Sequence, residues 1–401
     1  MAAFDQFLIG APQLRATACG RTEIAGNHVD HQGGMVIAAT IAQGISATAC
    51  KNVLDQVRVE SAGFESFALD AACLRAAEPD PRAFGTPAAL VTGMIRELSR
   101  AAGIPVEGFD LRLESTVPVG GGLSSSAAFE LVVGAVANAL FFDNRFDAMT
   151  LARIAQKAET DWFGKPCGLM DQAVIATGGV VAIDFGPDEP RVEPLPFDFD
   201  EAGLAVVLVD VHADHAHATP AYAAIPAEMT QAARLCGHNR LADVPESTLM
   251  NNLGLIRQEA GDRAALRALH FARETKLTCV RAEALRTGDI AAFCEASALS
   301  AASSAQYLQN VSDGGDNQPA MIALALADLV LGQIAEEHGT GIAPWPRGVA
   351  RIHGGGFGGS IQVFLPTNRA DEFCARMDSL MGAKSCNRLS FTQTGAQATW
   401  I

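Results

Sequence analysis

The chain has 401 residues, 49% of them hydrophobic and 18% charged, and carries a net charge of −16 from 29 basic against 45 acidic residues. That length and apolar content exclude a disordered chain and leave room for two domains with sizeable cores. The acidity argues against a nucleic-acid partner, because no basic excess offsets phosphate repulsion, although a small anion can still be held by amides, a few arginines and a metal ion.

The nine cysteines are scattered and never spaced as C-x-x-C, the pattern of reduced thiols in a cytoplasmic protein. The N-terminal segment lacks the basic start and long apolar core of a signal peptide. No uninterrupted apolar run reaches the ~18 residues of a membrane span, so a soluble protein without a membrane partner is expected.

In chain order, residues 14–19 read as a strand, 20–34 as a polar loop, and 35–41 and 45–50 as further strands. Helical patterns follow at 87–102, 125–141 and 149–163, the last ending at Gly164-Lys-Pro. Short β-branched runs at 180–185 and 204–211 read as strands. The proline-rich, acidic stretch 186–201 reads as a connection between halves. Helices at 221–236, 263–285, 289–307 and 318–338 come next, then a glycine-rich loop at 354–359 and a strand at 361–365. Strands and helices mix without regular βαβ spacing, which predicts an α+β chain of two domains, 1–200 and 201–401.

Four segments carry candidate chemistry. In Pro118-Val-Gly-Gly-Gly-Leu-Ser-Ser-Ser-Ala-Ala-Phe-Glu130, the glycines Gly120, Gly121 and Gly122 permit close backbone approach. Ser124, Ser125 and Ser126 are placed to cap a buried helix, whose free N–H groups attract phosphate. No Gly-Lys-Ser/Thr follows, so this is not the lysine-containing P-loop; a plain glycine turn capping a core helix is the alternative. Gly20-Arg-Thr-Glu-Ile-Ala-Gly-Asn-His-Val-Asp-His31 offers donors and acceptors at several angles, as a sugar requires, or else a charged surface hairpin. Pro166-Cys-Gly-Leu-Met-Asp-Gln172 places Asp171 after a tight turn, with Glu159 twelve positions upstream. Two such carboxylates can divide labour between a metal and a substrate hydroxyl, or be a cap and an exposed side chain. His353-Gly-Gly-Gly-Phe-Gly-Gly-Ser360 implies close approach of backbone to something, or a tight strand connection. A further cluster, His212, Asp214, His215 and His217, has the chemistry of a zinc site, or of a polar pocket loop.

Taken in order, these motifs resemble those of the small-molecule kinases that include galactokinase, homoserine kinase, mevalonate kinase and phosphomevalonate kinase. Within that superfamily the chain looks most like the galactokinase family. The matching stretches are 20–30, 120–127, 167–172 and 354–359, so the resemblance spans most of the chain. It implies a fold of two α+β domains with the active site in the cleft between them, and transfer of phosphate from ATP to the anomeric hydroxyl of galactose. Asp171 would be the catalytic base with Arg21 beside it, and Asn27, His28, Asp30, Gly168 and Tyr222 would line the sugar pocket. Gly120, Gly121, Gly122, Ser124, Ser125 and Ser126 would wrap the triphosphate of ATP. Mg²⁺ would be held by Ser125 or Ser126 and by Glu159, and Gly354–Gly359 would wall the site.

The chain departs from the family pattern at Glu23, where Asn is usual, at Asn27, where Glu is usual, and at His31, where Tyr is usual. Cys19 replaces the usual proline, and the Tyr222 segment lacks the arginines that commonly follow. Hydroxyl recognition depends on donor–acceptor pairing. A kinase for another sugar (an amino sugar, a pentose or a uronic acid) is therefore the alternative, and a non-catalytic sugar sensor the third.

Overall fold

The computed structural model describes residues 4, 7–9, 12–117, 122–212, 219–312 and 314–401. The chain divides into two units, each discontinuous in sequence. The first comprises Met1–Thr22, Ala39–Gly179 and Thr392–Ile401; the second comprises Glu23–Ala38 and Val180–Phe391. Helices and sheets mix in both, as an α+β chain requires.

The first unit is built on β1 (Leu14–Ala25), β2 (Met35–Lys51), β3 (Gln56–Ser61), β4 (Phe67–Asp70), β5 (Phe109–Ser115) and β12 (Gln397–Trp400), in the order β12-β1-β2-β5-β3-β4. β2 and β5 run antiparallel with Ile45 opposite Ser115, whereas β3 and β5 are parallel with Val57 opposite Phe109. Two expectations are corrected here. β1 continues through Gly20 to Ala25, where a loop was predicted, and β2 is one strand where two were predicted. The polar side chains of residues 20–25 read as loop because the pattern counts polarity, but a strand tolerates them where each finds a partner. Gly44 explains the second case. A Cβ there would sit 2.9 Å from the Ala18 carbonyl oxygen, so the glycine lets two backbones approach inside a continuous strand.

Helices α1 (Ala71–Ala76), α2 (Pro87–Ala102), α3 (Ser125–Phe141), α4 (Ala148–Lys157) and α5 (Met170–Thr177) complete this unit. α2 has clear local signals: Thr86 accepts from the Ala89 N–H, Pro87 opens the helix, and Gly103 closes it at φ 68°. α3 is buried nearly all round, from Ala127 to Leu140. α4 runs into a π-helical turn, Ala158–Trp162, which carries Glu159. Such turns are rare and gather at functional sites.

The second unit holds β6 (Val180–Asp184), where a strand was predicted, paired antiparallel with β7 (Arg191–Leu195), which lies inside the stretch 186–201 that was predicted to be a connection. It continues with β8 (Leu204–Asp210), α6 (Thr219–Leu235), α7 (Glu246–Glu259), α8 (Asp262–Thr287), α9 (Ile290–Ser303), α10 (Pro319–Glu337), α11 (Pro344–Arg347), β9 (Val349–Ile352), β10 (Ser360–Pro366), α12 (Ala370–Met381) and β11 (Cys386–Arg388). The second sheet has the order β11-β8-β10-β9. Alternation along β10 divides its faces. Ile361, Val363 and Leu365 join Val330, Ile334 and Phe373 in the core under α10 and α12. Phe364 turns to the other face and meets Phe293 of α9 edge-on at 5.0 Å. By length and composition α10 is apolar enough to cross a membrane, although Asp328 interrupts its apolar run. Here Ala320, Ala323, Ala327 and Leu331 pack into that core.

Candidate active site

The chemistry of the first unit gathers around Asp171, at the start of α5. Arg21, carried by β1, donates from Nε to Oδ1 at 2.7 Å and from Nη2 to Oδ2 at 2.8 Å. Its Nη1 donates to the Gly122 carbonyl at 2.7 Å, and its backbone N–H to the Leu123 carbonyl at 3.2 Å. The strand therefore lies directly against the turn that opens α3. Gly20 makes this possible: a Cβ there would sit 2.7 Å from the Leu123 carbonyl oxygen.

Ser124 occupies the N-cap position of α3 in the left-handed region, at φ 57° and ψ 54°. The side-chain caps expected of the serines are absent at that position, because the Ser124 hydroxyl donates to Asp171 Oδ2 instead. Ser125 begins α3, and Ser126 Oγ donates to Glu159 Oε1 at 2.9 Å. Gly122 takes φ 69°; Gly120 and Gly121 lie outside the described residues. Gly168 is exposed just before α5.

Burial opposes ionisation of Asp171, but the Arg21 charge and the hydrogen bonds from Arg21 and Ser124 outweigh it and hold the carboxyl below its usual range. It is a carboxylate at neutral pH.

Sequence reasoning missed three residues here. Lys165 donates to Glu159 Oε1 at 2.9 Å. Gln172 donates to Glu159 Oε2 at 2.7 Å and to Glu130 Oε2 at 3.2 Å. Burial, and then the neighbouring Glu159 charge, push the Glu130 carboxyl well above its usual range. Glu159 itself is 2% exposed; of the groups bonded to it, Gln172 is buried, Ser126 partly buried and Lys165 exposed. Gln172 closes the motif around Asp171, and only nearness to that motif could have flagged Lys165.

The second unit gathers the other predicted residues. Asn27 is fully buried; its Nδ2 donates to the Gly354 carbonyl at 2.5 Å and its Oδ1 accepts from Asn310 Nδ2 at 2.7 Å. His28 Nε2 lies 2.9 Å from the Gly355 carbonyl. A carbonyl only accepts, so this nitrogen carries the proton. Burial lowers the His28 pKa, and the ring stacks edge-on against Tyr222 at 5.3 Å. Tyr222 stays half exposed on α6. Asp30 opens a 3-10 turn, Asp30–Gln32, whose carbonyl accepts from the Gly33 N–H at 3.0 Å. His31 is half-buried with both ring nitrogens shielded and without a hydrogen-bond partner among the described residues; burial and then the neighbouring His28 lower its pKa to about 3.

The glycine loop at 354–359 is built around these contacts. A Cβ on Gly355 would strike the Tyr222 ring, and one on Gly356, at φ 80°, would strike the Asn310 carbonyl. Asn310 was not anticipated, having no motif around it. The departure at Glu23 also has a physical account. Its carboxylate pairs with Arg351 Nη2 at 2.6 Å, and Arg351 is fully buried with Nη1 on the Ile24 carbonyl at 2.9 Å. Of the histidine cluster, only His212 is described. Its Nε2 lies 2.9 Å from Ser385 Oγ, while Asp214, His215 and His217 lie outside the described residues. Among the described residues no group of three or more His, Cys, Asp or Glu side chains is disposed to hold a metal ion.

Comparison with known proteins converges on one family. Residues 89–179 match the family described as GHMP kinases N terminal domain, and residues 2–51 the galactokinase galactose-binding signature. A galactokinase of Streptomyces coelicolor is 29% identical, over 94% of this chain and 91% of its own length. One from Mycobacterium tuberculosis is 33% identical over 71% of each chain. The structure of Lactococcus lactis galactokinase complexed with galactose superposes with a TM-score of 0.76 at 23% identity, covering 97% of this chain and 95% of that one, a likeness of fold. With a relative one-third identical across most of its length, and with its motifs assembled as described, the chain belongs to the galactokinase family.

Proposed function

We propose that this chain transfers the γ-phosphoryl group of ATP to the anomeric hydroxyl of galactose, giving galactose 1-phosphate. It is a phosphotransferase with a sugar hydroxyl as acceptor, and ATP is its phosphoryl donor. The observation that carries this reading is the paired Arg21 and Asp171 set against the helix start at Ser124.

Phosphoryl transfer passes through a loose transition state, so the protein chiefly positions groups and neutralises charge. Asp171 accepts the proton of the acceptor hydroxyl. With its pKa held down it is a weak base, which suffices when the proton leaves late, after the bond to the departing ADP has largely broken. The first amides of α3, with Gly120, Gly121, Gly122, Ser124, Ser125 and Ser126, receive the triphosphate at the positive end of a buried helix.

The residues also fit Mg²⁺. Ser126 Oγ and Glu159 Oε1 are hard oxygen donors 2.9 Å apart, with Ser125 next to them in sequence. Mg²⁺ commonly takes one or two protein oxygens and completes its shell with phosphate and water. When bound, the ion would offset charge on the β- and γ-phosphates. Asn27, His28, Asp30 and Tyr222 are the sugar contacts assigned in the second unit, with Asn27 also fixing the Gly354 backbone.

A kinase for another sugar and a non-catalytic sensor are the weaker readings. The relatives that share the chain's length are named galactokinases, and the Arg21–Asp171 pair is intact. The test is ADP release by the purified chain with ATP, Mg²⁺ and a panel of free sugars. Turnover highest with galactose is expected; turnover confined to a different sugar would replace the acceptor named here.

A further inference from the structure

Glu159 is a buried carboxylate whose hydrogen-bonding capacity is nearly used up. Oε1 accepts from Ser126 Oγ and from Lys165 Nζ, each at 2.9 Å, and Oε2 accepts from Gln172 Nε2 at 2.7 Å. A carboxylate oxygen has about two lone-pair directions, so Oε1 is full. A cation bound between Ser126 and Glu159 needs one of those directions. Ser126 can keep its O–H on Oε1 while offering its own lone pairs to a metal. Lys165 cannot, because an ammonium has only donors and brings a like charge against the incoming ion.

We propose that Lys165 is an exchangeable countercharge on Glu159, displaced when a divalent cation binds there. The inference rests on the reading of Glu159 and Ser126 as metal ligands. Three observations favour Lys165 as the group that gives way. Its side chain is 60% exposed, while that of Glu159 is 2% exposed, so the ammonium can leave for solvent without opening the interior. Its backbone is held independently by a hydrogen bond from its N–H to the Glu159 carbonyl at 3.1 Å, so release of the side chain leaves the loop in place. Gly164, at φ 80°, provides the turn that lets residue 165 fold back on residue 159. The lysine thus keeps a buried negative charge paired until a stronger cation takes it over, and then stands as a free ammonium near the start of α3.

The test is Mn²⁺ binding by the full chain without nucleotide, followed by loss of the free-ion electron spin resonance signal. Lys165→Met, which keeps the apolar stem and removes the charge, is expected to bind Mn²⁺ about two- to fivefold more tightly, the worth of a largely exposed ion pair. Glu159→Gln is expected to bind it more weakly than the parent. Equal or weaker Mn²⁺ binding by Lys165→Met, alongside weakened binding by Glu159→Gln, overturns the exchange and leaves the metal assignment standing. Parent-level binding by Glu159→Gln removes Glu159 from the metal site, and the exchange falls with it. A thermal unfolding profile for each variant confirms that the comparison is made on folded protein.

Discussion

Arg21 and Asp171 lie 150 positions apart in sequence yet meet as a two-bond pair, with 2.7 Å from Nε to Oδ1 and 2.8 Å from Nη2 to Oδ2. A bidentate pair fixes the plane of the carboxylate as well as its charge. The third guanidinium nitrogen reaches the Gly122 carbonyl, so one side chain ties the proposed base to the turn proposed to bind phosphate.

Asp171→Asn keeps the size of the side chain and removes its charge. Turnover is expected to fall about 10²- to 10⁴-fold, the usual worth of a general base, with ADP affinity at the parent level. Steady-state kinetics with a calorimetric ADP titration checks both. Parent-like turnover would take Asp171 out of the mechanism.

Arg21→Met removes the charge that holds the Asp171 carboxyl low. With burial then unopposed, the Asp171 pKa rises, and the acid limb of the kcat/KM profile moves to higher pH. An acid limb that stays in place would mean that another group sets it.

Glu23→Ala strands Arg351, which is fully buried and paired with Glu23 at 2.6 Å. Removing one partner of a buried pair costs about 3–5 kcal/mol, whereas replacing both with apolar groups costs much less. Urea unfolding should therefore show a larger loss for Glu23→Ala than for Glu23→Leu combined with Arg351→Met. Equal losses would show that the pair contributes no more than its packing.

Two groups in the second unit make stability fall in acid. Burial raises the Glu274 pKa, but the charges of Arg281, His270 and Arg351 and a bond from Ser300 override it and bring it to about 2. Its contribution is complete above the unfolded value of about 4.3 and is lost as pH drops through 2. His31 is held neutral with a pKa of about 3, so the unfolded chain takes up its proton first below about 6.5. Both effects run the same way, and urea midpoints should decline steadily from about pH 6.5 towards 2. His31→Phe should flatten the upper part of that slope, and a midpoint that rises between pH 6 and 4 would contradict the account.

Helices with a periodic face and clear ends were legible. The stretches 87–102, 125–141 and 319–337 come out of the structure within a residue or so of the sequence reading, because Pro87, Gly103 and unbroken apolar runs are local signals. Short β3, β4 and β5 and the helices α7 and α12 were passed over, since a brief or weakly apolar pattern takes its shape from neighbours distant in sequence. The π-helical turns at 158–162 and 304–308 were invisible for a related reason. Their extra residue disturbs a helix without changing composition. In the site, Arg21, Asp171 and the serine turn sit in recognisable strings of residues. Lys165 and Asn310 carry no such string, and they matter only for what the folded chain places beside them.

The final strand, β12, completes a sheet that the chain began nearly four hundred residues earlier, with Trp400 opposite Leu14 and Gln397 opposite Thr17. Two of the four boundaries between units fall inside β1 and β2. A growing polypeptide must therefore finish synthesis of everything in between before the first sheet acquires its edge, and neither unit can be excised as one uninterrupted stretch for separate expression.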